Sequence, residues 1–233
     1  MNSCAKIGRL LPHQSCVLCG VEGNHTSAWC IACDADMPYL HMPLCPICAI
    51  PTPLGAICGH CIKIPPHFSH TVAVFGYTFP LDKLVQALKY GERLELAHSL
   101  ADRLALKIII RPDFMTAMPL HPARLRERGF NQSLELARRL EKRLNIPVLT
   151  DVCERVRDTP PQNTLSGKAR NKNMQQAFSC RQNSGAQNLT GRHIAIVDDV
   201  MTSGASLNEV ARVLRDAGAR EVSAWVIART LPN

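Results

Sequence analysis

The fold is decided by the stretch His193-Ile-Ala-Ile-Val-Asp-Asp-Val-Met-Thr-Ser-Gly-Ala-Ser206. Apolar residues lead into the adjacent carboxylates Asp198 and Asp199, and a turn of small residues follows. In the next segment, Leu207 to Ala217, apolar residues recur at helical spacing. The stretch therefore predicts a strand, a loop and a helix in that order, with the chemistry at the loop.

The residue types at this loop suit a phosphorylated sugar. Small side chains let backbone N–H groups close on a ligand, and they open a helix whose N-terminal N–H groups and positive dipole end favour an anion. Carboxylates accept hydrogen bonds, which suits the two vicinal hydroxyls of a ribose. The candidate phosphate residues are Thr202, Ser203, Gly204, Ala205 and Ser206, and the candidate diol residues are Asp198 and Asp199. Together they describe a site for a ribose 5-phosphate.

This strand, acid pair and Thr-Ser-Gly-Ala-Ser turn resemble the binding loop of type I phosphoribosyltransferases, which hold 5-phosphoribosyl 1-diphosphate (PRPP). The resemblance implies that the acids hold the ribose diol, that residues 202–206 hold the 5-phosphate, and that Mg²⁺ accompanies PRPP. The alternative is an ordinary buried strand that ends in a solvated turn of an α/β protein.

The N-terminal part contains four Cys-x-x-Cys pairs. Such pairs, separated by roughly ten residues, are typical of tetrahedral Zn²⁺ sites, whereas a disulfide framework is unexpected in the cytosol. The candidate ligands are Cys16, Cys19, Cys30, Cys33, Cys45, Cys48, Cys58 and Cys61. They predict two zinc ribbons in series with two structural zinc ions, and isolated redox pairs are the alternative. Sequential and interleaved pairing both remain open at this stage.

Consecutive prolines at residues 65 and 66 mark a domain boundary, because they end regular backbone pairing. We expect a double zinc ribbon over residues 1–66 and a larger domain over residues 67–233. The formal net charge is +8, and residues 1–66 contain equal numbers of basic and acidic residues. The basic excess therefore lies in the larger domain. It favours a ligand or partner that carries phosphates, but by itself it does not predict a nucleic-acid-binding surface.

Between the boundary and the acid pair, the pattern predicts further elements. Residues 72–79 alternate, which predicts a strand with Phe75, Tyr77 and Phe79 on one packed face, base stacking being the alternative. Two amphipathic helices follow, one from Pro80 and one past Gly91. Solvent exposure is the default expectation for the lysines at positions 83 and 89, with contact to an anion as the alternative.

Three arginines, at positions 124, 126 and 128, are predicted to lie in a loop ahead of a helix that begins near Ser133. Guanidinium groups bind diphosphates bidentately, so we expect Arg124 and Arg128 to face the diphosphate of PRPP. A solvated basic turn is the alternative.

These arginines, with Pro-Leu-His at residues 119–121 and Arg-Gly-Phe-Asn-Gln at residues 128–132, resemble the ComF/GntX family. The resemblance runs from about Cys16 to Leu231 and includes a later block with Thr159, Gln162, Leu165, Arg170 and Asn171, where phosphoribosyltransferases have a mobile flap. It implies a phosphoribosyltransferase-like, mostly parallel α/β sheet with flanking helices and a small zinc-ribbon domain. It also implies a competence-associated role in uptake or utilisation of external DNA.

Three classes of function follow. The first is a PRPP-binding protein of DNA uptake, whether enzymatic or not. The second is a phosphoribosyltransferase of nucleotide metabolism with an unidentified acceptor. The third is a non-enzymatic adaptor or single-stranded-DNA-binding module. The corresponding partners are PRPP or another phosphoribosyl ligand, single-stranded DNA and DNA-uptake proteins.

Two departures narrow the enzymatic class, and no catalytic residue is assigned. Purine-salvage relatives usually carry an acidic general base where this chain has Thr202, so a 6-oxopurine acceptor is not expected. The sequence shows neither an N-terminal cysteine nucleophile nor a glutaminase-sized extension, which disfavours glutamine-dependent transfer. No stretch is long and apolar enough for a membrane span, and residues 1–6 lack the apolar core of a secretory signal, so we expect a cytoplasmic location.

Overall fold

The structure is a computed structural model that describes residues 14–23, 27–90, 93–157, 176–180 and 188–232. Its contacts divide the chain into two compact units, residues 1–37 and residues 38–233. The predicted flap, residues 159–171, lies outside the described residues. None of the described helices is long and apolar enough to cross a membrane.

The smaller unit contains a two-stranded antiparallel ladder and one short helix. The strands are β1 (Gln14–Ser15) and β2 (Glu22–Gly23), and the helix is α1 (Ile31–Ala35). Trp29 is buried, and its indole nitrogen donates a hydrogen bond of 2.6 Å to Asp34 Oδ1. This one aromatic side chain supplies much of the apolar packing in a unit too short for a large core.

The larger unit is built on a five-stranded parallel sheet. Its strands, in spatial order, are β3 (His70–Gly76), β9 (Glu221–Arg229), β8 (His193–Met201), β4 (Phe114–Ala117) and β5 (Val148–Leu149). A separate antiparallel ladder joins β6 (Cys153–Arg155) to β7 (Phe178–Cys180). The two central strands are almost wholly buried, as expected when a parallel sheet is covered on both faces.

Helices flank this sheet. They are α3 (Leu81–Tyr90), α4 (Leu94–Ala105), α5 (Pro122–Arg128), α6 (Gln132–Leu144) and α7 (Ala205–Asp216). The shorter helix α2 (Gly59–Lys63) belongs to the last Cys-x-x-Cys pair instead. The apolar stripes of α3 and α4 are buried, so both predicted helices are confirmed. The predicted order of strand, loop and helix is confirmed by β8 and α7, and the mostly parallel sheet with flanking helices is confirmed as well.

The segment that precedes β3 in sequence returns to cover that strand. Tyr39 forms an antiparallel bridge with Phe75, the Leu40 N–H donates to the Val74 carbonyl at 2.9 Å, and the Gly76 N–H donates to the Pro38 carbonyl at 2.8 Å. Because β3 is an edge strand of the sheet, these bonds satisfy backbone groups that would otherwise face solvent.

Two local predictions were wrong. The strand predicted over residues 72–79 ends at Gly76, so its aromatic residues do not share a face: Phe75 is fully buried, whereas Phe79 is 75% exposed. The three arginines lie in helix α5 and not in a loop. This helix begins with Pro122 in its first turn, where proline fits, and ends at Gly129, whose φ of 80° lies in the left-handed region.

Candidate functional site

The acid pair lies at the carboxyl end of β8, within the buried part of the sheet. Asp198 is 9% exposed and Asp199 is 4% exposed. Burying two adjacent carboxylates is costly unless each finds a partner or takes up a proton. The two residues meet this requirement in different ways.

Asp198 is held by neutral hydrogen-bond donors. Its Oδ1 accepts from Ser133 Oγ and from the backbone N–H of Asp199, both at 2.9 Å. Burial, followed by the negative charge of Asp199, raises the pKa of Asp198 to about 8, although Lys89 and the Ser133 hydroxyl act in the opposite direction. Near neutral pH, Asp198 is therefore mainly a protonated carboxyl, which both donates and accepts hydrogen bonds.

Asp199 is paired with a cation. Lys89 Nζ lies 2.5 Å from Asp199 Oδ2. Burial alone would raise the pKa of Asp199, but the charge and hydrogen bond of Lys89 outweigh burial and hold that pKa below its usual range. The site thus contains one ionised and one neutral carboxyl, a separation that is common where two acids have different tasks.

Lys89 lies in the last turn of α3, and its side chain is 23% exposed. The default expectation of a solvated lysine is therefore wrong at this position. At Lys83, on the same helix, the expectation of solvent exposure is confirmed, because its side chain is 64% exposed.

The small-residue loop connects the acid pair to the N-terminus of α7. Gly204 precedes the helix with a φ of 79°, in the left-handed region that favours glycine. A Cβ at this position would lie 2.7 Å from Met201 Cε. Ser203 is exposed, and its hydroxyl oxygen accepts from the Ala205 N–H at 3.4 Å. The loop is thus shaped by a glycine that no other residue replaces without strain.

Of the two arginines predicted to face a diphosphate, the structure links Arg128 to the acid pair. Arg128 donates to Gln132 Oε1 at 2.6 Å, its guanidinium lies 5.1 Å from the centre of the Tyr90 ring, and a Gln132 hydrogen bond helps to lower the pKa of Asp199. Arg124 lies one turn earlier on α5 and is half-buried. Binding of a diphosphate by either residue stays a prediction.

A cavity of about 710 Å³ opens beside this region. Its lining includes Ala117 at the end of β4, Asn131 at the start of α6 and Arg155 on β6. Asn131 donates from Nδ2 to the Met118 carbonyl at 3.1 Å and caps α6, two residues before Ser133 contacts Asp198. The cavity is therefore separated from the acid pair by the first turn of one helix.

The eight predicted metal ligands form two tetrads. Cys16, Cys19, Cys30 and Cys33 make one, and Cys45, Cys48, Cys58 and Cys61 make the other; within each, the Sγ atoms lie within 4.8 Å of one another. The pairing is therefore sequential and not interleaved. Tetrahedral Zn–S bonds of ~2.3 Å place sulfur atoms about 3.8 Å apart. The Cys19–Cys30 and Cys48–Cys58 sulfur distances are 3.8 Å and 3.6 Å, so both tetrads fit structural zinc.

The two tetrads share a pattern of N–H···S contacts. The N–H of the third cysteine donates to the first sulfur, from Cys30 to Cys16 at 3.3 Å and from Cys58 to Cys45 at 3.4 Å. Burial acts to raise the pKa of Cys16 and of Cys45, but backbone hydrogen bonds lower these values to about 6 and about 7. The backbone thus favours the thiolate form that zinc requires.

A buried arginine connects the second tetrad to the loop at the acid pair. Arg229, at the end of β9, is 7% exposed. Its Nε donates to the Cys48 carbonyl at 2.8 Å, and its Nη1 donates to the carbonyls of Met201 at 3.1 Å and Thr230 at 2.7 Å and also to that of Thr202. The same guanidinium therefore holds a zinc knuckle and the end of β8.

Comparison with known proteins agrees with both parts of this structure. A phosphoribosyl transferase domain model matches residues 131–231, and a double zinc ribbon domain model matches residues 7–62. The DNA utilization protein YhgH of Escherichia coli strain K12 is 34% identical over 197 residues, which are 81% of this chain and 85% of that protein. Competence protein F of Haemophilus influenzae is 33% identical over 74% of this chain and 78% of that protein.

The chain belongs to the ComF/GntX family. Among solved structures, the glutamine PRPP amidotransferase of B. subtilis is similar over 56% of this chain and 25% of that chain, with 20% identity and a TM-score of 0.38.

Three residues that the structure brings to the site of this ComF/GntX chain were missing from the predicted set. Ser133 and Gln132 begin α6, and Lys89 ends α3. The capping residue Asn131 before Gln132 was the available sequence signal for the start of α6. No local signal pairs Lys89 with Asp199, because the two lie on elements far apart in sequence.

Proposed function

We propose that this ComF/GntX protein binds PRPP and acts in the uptake or utilisation of external DNA. The observation that carries the proposal is the pair of buried, differently ionised carboxyls directly before a glycine-turned loop that opens a 12-residue helix. A ribose presents two neighbouring hydroxyls, each of which donates and accepts, to such a pair. The 5-phosphate then takes the N–H groups at the start of α7.

We expect Lys89 to exchange its ionic partner, Asp199, for the diphosphate when PRPP binds. In the structure, Lys89 neutralises Asp199 at 2.5 Å. When a ribose hydroxyl donates to Asp199, the ammonium group remains near the sugar and is available to the diphosphate at C1. Arg128 adds a second cation near the acid pair, since it donates to Gln132, which hydrogen-bonds Asp199. Mg²⁺ would screen the remaining charge of the diphosphate.

The DNA-related part of the proposal rests on the relatives and on charge. The similar proteins are named for DNA utilization and for competence. The basic excess of this chain lies in residues 67–233, which contain the proposed ligand site. We place this role on the cytoplasmic side, where reduced cysteines and zinc ribbons are stable.

Calorimetric titration of the zinc-loaded chain with Mg²⁺–PRPP tests the ligand. We expect binding by the wild type, loss of binding by Asp198→Asn/Asp199→Asn, and unchanged binding by Asp216→Asn, which removes an exposed carboxylate from the far end of α7. If the wild type does not bind, or the double variant binds equally well, the proposal is wrong. Single-stranded-DNA binding that survives the double substitution and falls steeply with salt would favour the nucleic-acid module instead.

A second candidate, phosphoribosyl transfer, is favoured by the cavity beside α6. Its volume of about 710 Å³ is sufficient for a small acceptor molecule. Transfer would break the C1–O bond with diphosphate as the leaving group, and positioning and electrostatic stabilisation would supply most of the catalysis. Diphosphate release that requires one added nucleobase or amine would support this candidate. If PRPP binds but no acceptor causes diphosphate release, transfer is excluded and only the PRPP-binding proposal remains.

A further inference from the structure

A cluster of two histidines and one glutamate lies at the edge of the sheet opposite the acid pair. It comprises His70 at the start of β3, His193 at the start of β8 and Glu221 at the start of β9. One ring nitrogen of each histidine and one carboxylate oxygen lie within 4.8 Å of one another. Asp198 follows His193 by five strand residues, or about 16 Å, so the cluster is separate from the proposed sugar site.

Strand register explains why these side chains converge. His193 is the partner of Glu221, and His70 is the partner of Ser223, so both histidines flank β9. Glu221 and Ser223 are two residues apart on that strand and therefore point to the same face. Parallel register thus brings three potential ligands from three strands to one place.

The three potential ligand atoms surround a common point. His70 Nδ1 and Glu221 Oε1 are 3.7 Å apart, too far for a hydrogen bond. Ligand atoms on a tetrahedral zinc, bound at ~2.0–2.1 Å, lie about 3.3 Å apart. The His70–Glu221 pair would therefore close by a few tenths of an ångström on binding, and a pair at the 4.8 Å limit by about 1.5 Å. The centres of the two imidazole rings are 5.8 Å apart, in an edge-to-face arrangement.

Serine hydroxyls contact all three side chains, and an ion bound through His70 Nδ1 would displace the Ser69 hydroxyl from that nitrogen. Ser223 Oγ lies 3.0 Å from His193 Nε2, and Ser69 Oγ donates to Glu221 Oε1 at 2.8 Å while lying 3.1 Å from His70 Nδ1. His193 is buried, whereas the side chains of His70 and Glu221 are 19% and 34% exposed. An ion would therefore have an entry path and, with three protein ligands, an open coordination position.

We propose that His70, His193 and Glu221 form a third metal site, distinct from the two cysteine tetrads, for a borderline divalent cation such as Zn²⁺. Two imidazoles and one carboxylate suit Zn²⁺, Fe²⁺ or Co²⁺ better than the hard cations Mg²⁺ and Ca²⁺, which prefer oxygen ligands. The ion would tie together the first residues of β3, β8 and β9.

Native mass spectrometry of the full chain, equilibrated at micromolar free zinc and desalted, counts the ions directly. We expect three zinc ions in the wild type, two in His70→Ala and in Glu221→Gln, and three in His98→Ala, a matched control on an exposed histidine of α4. Retention of the two tetrad ions shows that the zinc ribbons of each variant are intact, and circular dichroism shows whether the sheet is folded. A wild type with two ions, or variants that keep the third, would overturn the proposal.

A competing chelator then measures the affinity of the third site. Ser223→Ala removes the hydroxyl that orients His193 and leaves all three ligands in place. We expect the third ion to bind about 10–100-fold more weakly in this variant, as is usual for loss of a group that orients a ligand. An unchanged affinity would contradict the role of the Ser223 hydroxyl in positioning His193 for the ion.

Discussion

Replacing Asp198 by asparagine should stabilise the protein, increasingly so as the pH rises. Asparagine keeps the shape of the side chain and an oxygen that accepts from Ser133 Oγ and from the Asp199 N–H. It removes the carboxyl that burial makes difficult to ionise.

The size of the effect follows from proton linkage. With a folded pKa raised to about 8, Asp198 stays protonated in the folded chain while the unfolded chain releases the proton above about pH 4. The folded state therefore binds one proton more than the unfolded state, and unfolding becomes easier by about 1.4 kcal/mol per pH unit in that window. Between about pH 6.0 and about pH 7.5, the wild type should lose about 2 kcal/mol relative to Asp198→Asn.

Urea denaturation of zinc-saturated protein at several pH values in this window measures the difference. Asp113→Asn is the control, because the backbone N–H of His193 holds the pKa of Asp113 below its usual range, so that residue stays ionised throughout the window and predicts no slope of this kind. The reasoning fails if the stability difference between wild type and Asp198→Asn is constant with pH. It also fails if the asparagine variant is the less stable protein near pH 7.5.

Two further substitutions test the surroundings of the site. Arg229→Met removes the donor to the Cys48 carbonyl and one of the two donors to the Met201 carbonyl, which keeps the Thr230 N–H. We therefore expect about 1–3 kcal/mol of lost stability in urea and faster zinc release to a chelator. Zinc release at the wild-type rate would contradict this. Gly204→Ala should cost about 1–2 kcal/mol of stability, because alanine is strained in the left-handed region, and should weaken PRPP binding in calorimetry. The control Gly191→Ala has the same left-handed backbone but lies in open space, so it should keep the wild-type affinity for PRPP. Equal affinities in the two variants would refute a role for the loop shape.

The sequence was sufficient for those features whose cause is local. Apolar alternation, the acid pair and the small residues after it lie within one continuous stretch, and they specify β8, the loop and α7. Cysteine spacing likewise specified two tetrads, although only the three-dimensional structure distinguishes sequential from interleaved pairing. The boundary at residue 66 and the binding roles of the loop residues remain predictions.

The remaining features depend on contacts between distant segments. Lys89 reaches Asp199 from another helix, and the register of three parallel strands brings His70 to Glu221, so no spacing rule reveals either contact. The incorrect prediction of a loop at the three arginines has a different cause, because the sequence contains the signals for a helix there. Pro122 in the first turn and Gly129 at the end are typical of helix boundaries.

The backbone pairing of residues 38–40 with β3 has a consequence for dividing the protein. A fragment that begins at the predicted boundary would lack Tyr39 and Leu40 and would leave the outer edge of β3 uncovered. Uncovered edges of buried sheets recruit other strands, including those of identical molecules. The isolated larger domain should therefore self-associate, and a fragment that starts ahead of Pro38 is the one expected to remain monodisperse.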